Sequence, residues 1–232
     1  MKLGSLRQKL FSMHSFDQRP SAAAVVLERQ EVSFKSLAVF CSCSDKLEQA
    51  NYDAAAAVGH IIGTKGIDLV YGGGSMGMMG AVASACKKAG GKVIGVSTKQ
   101  FMLPEMGRSK EDEELESELL VADSMLERKK LMSEKCDGVV VLPGGLGTLE
   151  EIFYVLVNYE MPVIVLNLNG HYDALNDLLK CSVEQGFIGS EVFNRIRFET
   201  EPDQLLDPDE DSYLATASSA WTMPPMQLDD RV

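Results

Sequence analysis

The sequence lacks the residue clusters and the long apolar segments that define several classes of protein. Its 3 histidines, His14, His60 and His171, lie far apart, and its 5 cysteines show no paired C-x-x-C spacing of the kind that binds zinc. No apolar run approaches the roughly 20 residues that are needed to cross a bilayer. We therefore expect a protein without a metal site and without a membrane span.

Basic residues are scarce as well. The chain has 22 lysines and arginines against 34 aspartates and glutamates, which gives a formal net charge of −12. This excess of acid opposes binding to a nucleic-acid polymer, because such binding depends on neutralising many phosphates. A single nucleotide needs only a local anion site. The odd number and scattered positions of the cysteines indicate reduced thiols, so we predict a cytoplasmic protein.

Short apolar runs alternate with helical patterns along most of the chain. That alternation is typical of a parallel sheet flanked by helices on both faces, and we predict a Rossmann-like three-layer α/β fold. The 232 residues, 45% of them hydrophobic, suffice for one domain with a substantial core. Strands are expected near residues 37–41, 67–71, 93–96, 119–121, 139–142 and 163–168, and helices near residues 47–64, 76–89, 124–135, 149–159 and 172–185.

Both ends of the chain differ in composition from the middle. We predict an N-terminal arm over residues 1–34, disordered or loosely docked, a Rossmann-like domain over residues 35–200, and an acidic C-terminal tail over residues 201–232. Residues 1–20 carry four cations against one acid, which also fits a transit peptide for organelle import. The acidic run 110–118 is expected to be a solvated loop or helix face, with a lid over a ligand as the alternative.

A glycine-rich turn joins a predicted strand to a predicted helix at residues 143–151, which read P-G-G-L-G-T-L-E-E. Glycines let the backbone turn sharply and approach a ligand, while the unpaired amides of a new helix favour an anion such as phosphate. Glu151 would lie beside that pocket. The spacing of Thr148 and Glu151 also fits a capping box, in which both side chains merely satisfy helix-end amides.

A second glycine turn, G-G-G-S-M-G-M-M-G at residues 72–80, follows another predicted strand, and a basic pair lies at Arg128 and Lys129. Two such turns together with two cations suggest one shared phosphate site. Residues 72–77 also satisfy the G-x-G-x-x-G pattern of an NAD(P)-dependent oxidoreductase. That alternative is disfavoured, because the next strand ends in V-S-T-K at residues 96–99, without the acid that holds a dinucleotide's ribose.

At these residues the chain resembles the Lonely Guy family of nucleoside 5′-monophosphate phosphoribohydrolases, many of which carry the label lysine decarboxylase. Residues 143–151 match the family's P-G-G-x-G-T-x-x-E motif at every fixed position, residues 72–80 match its G-G-G-x-x-G-x-M-G stretch, and Arg128 with Lys129 match its R-K pair. The F-C-S-C-S run at residues 40–44 is similar to the family's F-C-G-S-S. The resemblance extends over residues 37–188.

The chain departs from the family at two places. The histidine that commonly lies two positions before the arginine is absent, and Met125 and Leu126 stand in that part of the chain. The Trp-containing segment and longer loop that plant-like members carry after the glutamate are absent, and only the short segment 154–162 precedes the next strand. The motifs for phosphate and ribose are therefore intact, while the preferred base stays open.

The resemblance implies a hydrolase that cleaves the N-glycosidic bond of a nucleoside 5′-monophosphate into free base and ribose 5-phosphate. The base would be an N6-modified adenine, as in cytokinin biosynthesis, or that of AMP or a similar nucleotide. Arg128 and Glu151 are the expected catalytic residues, and no metal or organic cofactor is needed. The expected substrate-binding residues are Ser42, Gly73, Gly74, Lys129, Gly144, Gly145, Gly147 and Thr148.

The resemblance also implies a homodimer that associates through the helices flanking the site. Met78, Met79, Ile152 and Phe153 are candidates for that interface, and each of them is equally a candidate for the core. A non-enzymatic molybdenum-cofactor carrier of similar fold is the alternative function. The pairing of Arg128 with Glu151 favours catalysis, because a carrier does not need a carboxylate beside the sugar.

Overall fold

The computed structural model describes residues 34–101 and 110–206, which form one α/β unit around a seven-stranded sheet. Every pairing in the sheet is parallel, and the strand order is β4-β3-β2-β1-β5-β6-β7. The predicted three-layer fold with a parallel sheet is confirmed. The strands are β1 (Ser36–Phe40), β2 (Asp68–Tyr71), β3 (Val93–Thr98), β4 (Glu118–Ala122), β5 (Gly138–Val141), β6 (Val163–Leu166) and β7 (Ile196–Glu199).

Helices connect successive strands, as parallel pairing requires. None of the helices among the described residues is both long and apolar enough to cross a membrane. The helices are α1 (Gln49–Thr64), α2 (Gly77–Lys88), α3 (Lys110–Leu115), α4 (Met125–Glu134), α5 (Leu146–Asn158), α6 (Asp173–Glu184) and α7 (Ser190–Phe193), and short 3₁₀ turns lie at Leu168–Gly170 and Pro202–Gln204.

Alternate residues of each strand enter two separate cores, one on each face of the sheet. Leu37 and Val39 of β1 pack with α1 and α2, whereas Ala38 and Phe40 pack with α4 and α5. Successive side chains of a strand point to opposite faces, so a strand that is covered on both sides is apolar throughout. This is why the strands read as continuous apolar runs in the sequence.

Two elements, α7 and β7, were not predicted from the sequence, and α3 lies in the acidic run that was expected to be a solvated loop or helix face. Helix α5 begins at Leu146, earlier than the predicted start at residue 149. Packing also continues past the predicted domain boundary at residue 200, because Leu205 is only 1% exposed and belongs to the core on the α1 side. The predicted N-terminal arm with its transit-peptide alternative, and the tail from residue 207 onward, lie outside the described residues.

The strand order reverses between β1 and β5. The loop after β1 leads to α1 on one face of the sheet, and the loop after β5 leads to α5 on the other. Open α/β sheets bind ligands at the carboxyl ends of the strands where such a reversal occurs, and we call this region, at the ends of β1 and β5, the crevice.

Candidate functional site

The loop after β1 links the two glycine turns at this crevice. The Ser42 amide donates to the Pro143 carbonyl oxygen over 3.2 Å, and the Ser42 carbonyl accepts from the Met78 amide over 3.1 Å. Ser42 thus contacts the glycine-rich turn of α5 through one backbone group and the start of α2 through the other. The predicted site residues near Ser42, Gly73 and Gly144 are brought to one edge of the sheet.

Arg128 extends from α4 into the crevice and is 7% exposed. Its Nε donates to the Val96 carbonyl over 2.8 Å, and its Nη2 donates to the Gly72 carbonyl over 3.0 Å. Its Nη1 lies 3.3 Å from Oε1 of Glu151. The ends of β2 and β3 therefore hold the planar guanidinium in place, and its remaining side faces α5.

Gly72 makes room for this guanidinium. A Cβ at residue 72 would lie 2.2 Å from Arg128 Nη2, which is far inside any permitted contact. The first glycine turn thus has a packing role in addition to its backbone conformation, which is left-handed at Gly73 with φ of +69°. Space at residue 72 and a left-handed backbone at residue 73 each favour glycine at the end of β2.

The Glu151 side chain is 14% exposed and accepts its ion-pair hydrogen bond from Arg128. Burial raises the pKa of Glu151 above its ordinary value, while the neighbouring Arg128 charge opposes that shift. The carboxyl is thus held in a poorly hydrated place with one cation beside it. Such a group responds strongly to charge that develops nearby, since little water screens it.

The capping-box alternative for Thr148 and Glu151 is wrong. The N-cap of α5 is Gly145, which makes no side-chain capping hydrogen bond, so Thr148 already lies inside the first turn. Thr148 is instead 4% exposed, and its Oγ1 would lie 2.1 Å from a Cβ added to Gly144. Because the helix begins earlier than the spacing suggested, Glu151 is free of a capping role.

The start of α5 is open to solvent and to ligands. Gly145 and Gly147 are exposed, and a Cβ added to either glycine would meet no atom within 4 Å. The first amides of an α-helix have no partner within the helix, and they carry the positive end of its dipole. Amides of this kind at an exposed helix start are suited to an anion such as phosphate.

The first glycine turn differs from this arrangement. The Gly74 amide donates to the Tyr71 hydroxyl over 3.2 Å, and that hydroxyl lies 3.3 Å from Oε1 of Glu116. Asp112, in the acidic run that was expected to be solvated, is only 4% exposed and has Oδ1 4.0 Å from the position of a Gly74 Cβ. The Gly74 amide is thus already hydrogen-bonded within the protein, and two carboxylates lie close to the turn. Both features disfavour an anion there.

Lys129 does not share the surroundings of Arg128. It is 8% exposed, its Nζ lies 2.5 Å from Oε1 of Glu150, and the same Nζ lies 5.1 Å from the centre of the Tyr154 ring. The Glu150 side chain is 66% exposed, so it faces solvent and not the crevice. Helices α4 and α5 are therefore joined by two ion pairs, one inside the crevice and one outside it.

Two residues that the sequence reasoning missed lie behind the glycine turn of α5. Nε2 of His171 lies 3.0 Å from the Gly144 carbonyl oxygen and 3.3 Å from the Gly144 nitrogen. The Tyr172 hydroxyl donates to the Leu142 carbonyl over 2.8 Å. Both residues follow β6 in the sequence, which places them at the carboxyl edge of the sheet. That place was the one feature of the sequence that could have marked them as site residues.

Cys41 lies at the end of β1. Burial is the main cause that raises the pKa of its thiol, and the charge of Glu151 raises it further. The structure pairs none of the five cysteines in a disulfide. Among residues 34–101 and 110–206, no three histidine, cysteine, aspartate or glutamate side chains lie together as a metal site.

Comparison with known proteins gives consistent sequence matches. The family model described as "Possible lysine decarboxylase" matches residues 79–208. A protein of Arabidopsis thaliana named as a probable cytokinin riboside 5′-monophosphate phosphoribohydrolase is 41% identical over 166 residues, which cover 69% of this chain and 80% of the relative. A Mycobacterium tuberculosis protein named cytokinin riboside 5′-monophosphate phosphoribohydrolase is 35% identical over 166 residues, 69% of this chain and 86% of the relative.

Solved structures share the fold at lower identity. The molybdenum cofactor carrier protein of Chlamydomonas reinhardtii superposes with a TM-score of 0.56 at 20% identity, covering 74% of this chain and 92% of the carrier. DNA processing protein A of Streptococcus pneumoniae superposes with a TM-score of 0.52 at 16% identity, covering 75% of this chain and 64% of that protein. Proteins with such different names show that the fold alone does not decide the activity.

Proposed function

The chain belongs to the Lonely Guy family, and from that premise we propose that it hydrolyses the N-glycosidic bond of a nucleoside 5′-monophosphate to free base and ribose 5-phosphate. The observation that carries this proposal is the Arg128–Glu151 pair, buried at the crevice beside the open start of α5. The names of the Arabidopsis and Mycobacterium relatives describe the same reaction class.

The phosphate of the substrate would bind at the start of α5. Gly144, Gly145 and Gly147 present backbone amides there, and the buried Thr148 packs against Gly144 and holds the turn in shape. An anion at this place also meets the positive end of the helix dipole. The phosphate binds here and not at the first glycine turn, because Asp112 and Glu116 lie against that turn and would repel it.

Glu151 would stabilise the reacting sugar. Breaking the N-glycosidic bond builds positive, oxocarbenium-like charge on the ribose, and a carboxylate close by stabilises that charge or orients the attacking water. Arg128 orients the Glu151 carboxylate through the hydrogen bond from its Nη1. It still has N–H donors left for a phosphate or ribose oxygen. Glu151 must be ionised to act in this way, although burial raises its pKa.

The other predicted binding residues take more distant roles. We place the ribose beside Gly73, Gly74 and Ser42. Ser42 Oγ accepts from the Ser44 amide over 3.1 Å, which shapes the loop. Lys129 supports the site by pairing with Glu150 and thereby joining α4 to α5. No step of this reaction calls for a metal or an organic cofactor.

The base is the least specified part of the substrate. The names of the relatives refer to cytokinin ribosides, so an N6-modified adenine is one candidate and the adenine of AMP is another. In this chain α5 ends at Asn158 and β6 begins at Val163, so the connection between them is short. A molybdenum-cofactor carrier is less well supported, because its likeness lies in the fold while the named phosphoribohydrolases match in sequence.

The exposed face of α5 supports a homodimer. Leu146 is 86% exposed, Phe153 41% and Val157 75%, and their spacing places all three on one side of the helix. A second copy of the chain would cover this apolar face next to the site. Of the earlier interface candidates, Met78 and Ile152 are core residues, being 0% and 1% exposed. A cytoplasmic location would suit the unpaired thiols.

The test is a screen of purified protein for released base. We expect free base and ribose 5-phosphate from at least one adenine, N6-modified adenine, guanine or pyrimidine monophosphate without added metal. The matching nucleoside should be a poor substrate, because amides aimed at an anion contribute only when the anion is present. Release of no base from any monophosphate would contradict the proposal, and tight binding of molybdenum cofactor by the same protein would favour the carrier.

A further inference from the structure

His171 makes a contact with Gly144 that can exist in only one of two forms at a time. Nε2 of the imidazole lies 3.0 Å from the Gly144 carbonyl oxygen and 3.3 Å from the Gly144 nitrogen. A ring nitrogen that carries a proton donates to the oxygen, whereas one with a lone pair accepts from the N–H. The state of Nε2 therefore decides whether the Gly144 N–H is occupied or available.

Hydrogen bonds and a ring contact hold the segment after β6 that carries the His171 imidazole. The His171 amide donates to the Leu168 carbonyl over 3.1 Å, and the His171 ring packs edge-on against the Tyr172 ring with centroids 4.6 Å apart. Tyr172 is 2% exposed, its amide donates to Oδ1 of Asn167 over 2.7 Å, and its hydroxyl donates to the Leu142 carbonyl. The segment after β6 is thus fixed to the turn that it supports.

Gly144 is held between two side chains. Thr148 Oγ1 would lie 2.1 Å from a Gly144 Cβ, and His171 Nε2 contacts the backbone nitrogen and oxygen of the same residue. Rotation of the two peptide groups that meet at Gly144, one carrying its N–H and the other its carbonyl, is therefore limited to what these neighbours allow. A residue that bonds either its N–H or its carbonyl selects between the few orientations that remain.

We propose that His171 is a positioning residue for phosphate recognition: it donates from Nε2 to the Gly144 carbonyl and so presents the Gly144 N–H to the substrate's phosphate. This inference rests on the proposed function and assigns to His171 a part in the same site. With no ligand, the other tautomer accepts from the Gly144 N–H and keeps that amide satisfied. Binding of the phosphate and the donor state of Nε2 then favour each other.

The experiment compares His171→Phe, which keeps the aromatic ring but removes both ring nitrogens, with His171→Gln, whose amide can still donate to Gly144. His60→Phe is the matched control, because His60 is exposed on α1 in the other helix layer. For His171→Phe we expect a KM for the monophosphate about fivefold to tenfold higher, the effect of losing one modest hydrogen bond. The kcat should stay within about twofold, since the hydrogen bond acts on the phosphate in ground and transition states alike.

Rescue and substrate comparison separate positioning from a merely structural role. His171→Gln should restore the KM to near the wild-type value, and kcat/KM for the nucleoside should not respond to any of the three changes. An unchanged KM in His171→Phe, a rise that glutamine does not restore, or an equal effect on the nucleoside would overturn the inference. Melting curves show whether each variant is folded.

Calorimetry with ribose 5-phosphate distinguishes this failure from failure of the proposed function. If the wild type releases no base but binds ribose 5-phosphate more tightly than His171→Phe does, the hydrolysis is wrong and the role of His171 stands. If the wild type hydrolyses monophosphates and His171→Phe matches it in both KM and affinity, the role of His171 alone is wrong. A wild type that neither hydrolyses nor binds ribose 5-phosphate refutes both.

Discussion

Replacement of Glu151 by glutamine removes a charge while keeping the shape of the side chain. In the structure, Oε1 of Glu151 lies 3.3 Å from Arg128 Nη1, and glutamine's carbonyl oxygen can accept the same hydrogen bond. The α5 start does not depend on this residue, because its N-cap is Gly145. The substitution therefore tests the carboxylate charge with little disturbance to the helix.

The expected loss of turnover follows from the electrostatics of the site. Two unit charges about 4 Å apart interact by about 4 kcal/mol at an effective dielectric constant near 20. The ribosyl cation carries only part of a charge in the transition state, and Arg128 offsets part of the carboxylate's field. A remaining effect of about 2.7 kcal/mol corresponds to roughly 10²-fold in rate.

The pH dependence provides a second readout. Burial raises the pKa of Glu151 above its ordinary value of 4.5, so the folded protein holds this proton to a higher pH than the unfolded chain does. Ionisation of Glu151 thus weakens the fold as pH rises through the folded pKa, and it creates the active carboxylate over the same range. We expect the acid limb of kcat/KM to lie above pH 4.5 in the wild type and to be absent in any residual activity of Glu151→Gln.

Base release at saturating monophosphate and the melting temperature are measured on Glu151→Gln and on Glu150→Gln. The second variant is the control, because Glu150 is the adjacent carboxylate and pairs with Lys129 outside the crevice. We expect Glu150→Gln to keep its turnover within about twofold, since the carbonyl oxygen of glutamine can still accept from Lys129 and keep α4 joined to α5. A fully active Glu151→Gln enzyme would refute the catalytic assignment, and equal losses in both variants would point to disturbed packing of α4 on α5.

Two glycines give further predictions. Gly72→Ala places a methyl 2.2 Å from Arg128 Nη2, so we expect turnover to fall by at least about tenfold while the protein stays folded. Base release measures the turnover, and a melting curve shows whether the variant is folded. Unchanged turnover would show that the guanidinium position is not critical. Gly59→Ala places a methyl 2.1 Å from the Val82 carbonyl oxygen between α1 and α2, and we expect a net loss of about 1–2 kcal/mol in unfolding free energy although alanine favours the helix by about 1 kcal/mol. Gly147→Ala, which meets no atom within 4 Å, is the control and should not lower stability in denaturant titrations.

The apolar runs predicted the first six strands, and five of them, all except the edge strand β4, are continuous in hydrophobicity because both of their faces are buried. The seventh strand, Ile196–Glu199, was missed, since it alternates apolar and charged residues in a short segment. Its charged side chains form a local pair, with Arg197 Nε 2.9 Å from Glu199 Oε1, whereas its parallel pairing with β6 joins it to a distant part of the chain. Tertiary contact, and not local pattern, makes this segment a strand.

The start of α5 shows the same limit at the site. Two glycines at residues 145 and 147 argued for a turn that continues to residue 148, because each glycine disfavours a helix by about 1 kcal/mol. In the structure the helix already includes Gly147, since burial of Ile152 and Val155 against the sheet outweighs that cost. The R-K pair and the P-G-G-x-G-T-x-x-E motif drew attention to Arg128 and Glu151, which are neighbours in the structure. The contact of His171 with Gly144 had no sequence signal beyond the position of His171 after a strand.

The adjacent pairs Arg128-Lys129 and Glu150-Glu151 divide their roles by helix geometry. Consecutive residues on a helix lie about 100° apart, so one member of each pair faces the crevice and the other faces away. Arg128 meets Glu151 inside, and Lys129 meets Glu150 outside, with its ammonium over the Tyr154 ring. The outer pair joins the same two helices that carry the inner one, and it thereby constrains the separation of Arg128 from Glu151. The four residues of this chain thus form one ion pair suited to the chemistry and one suited to holding that pair in register.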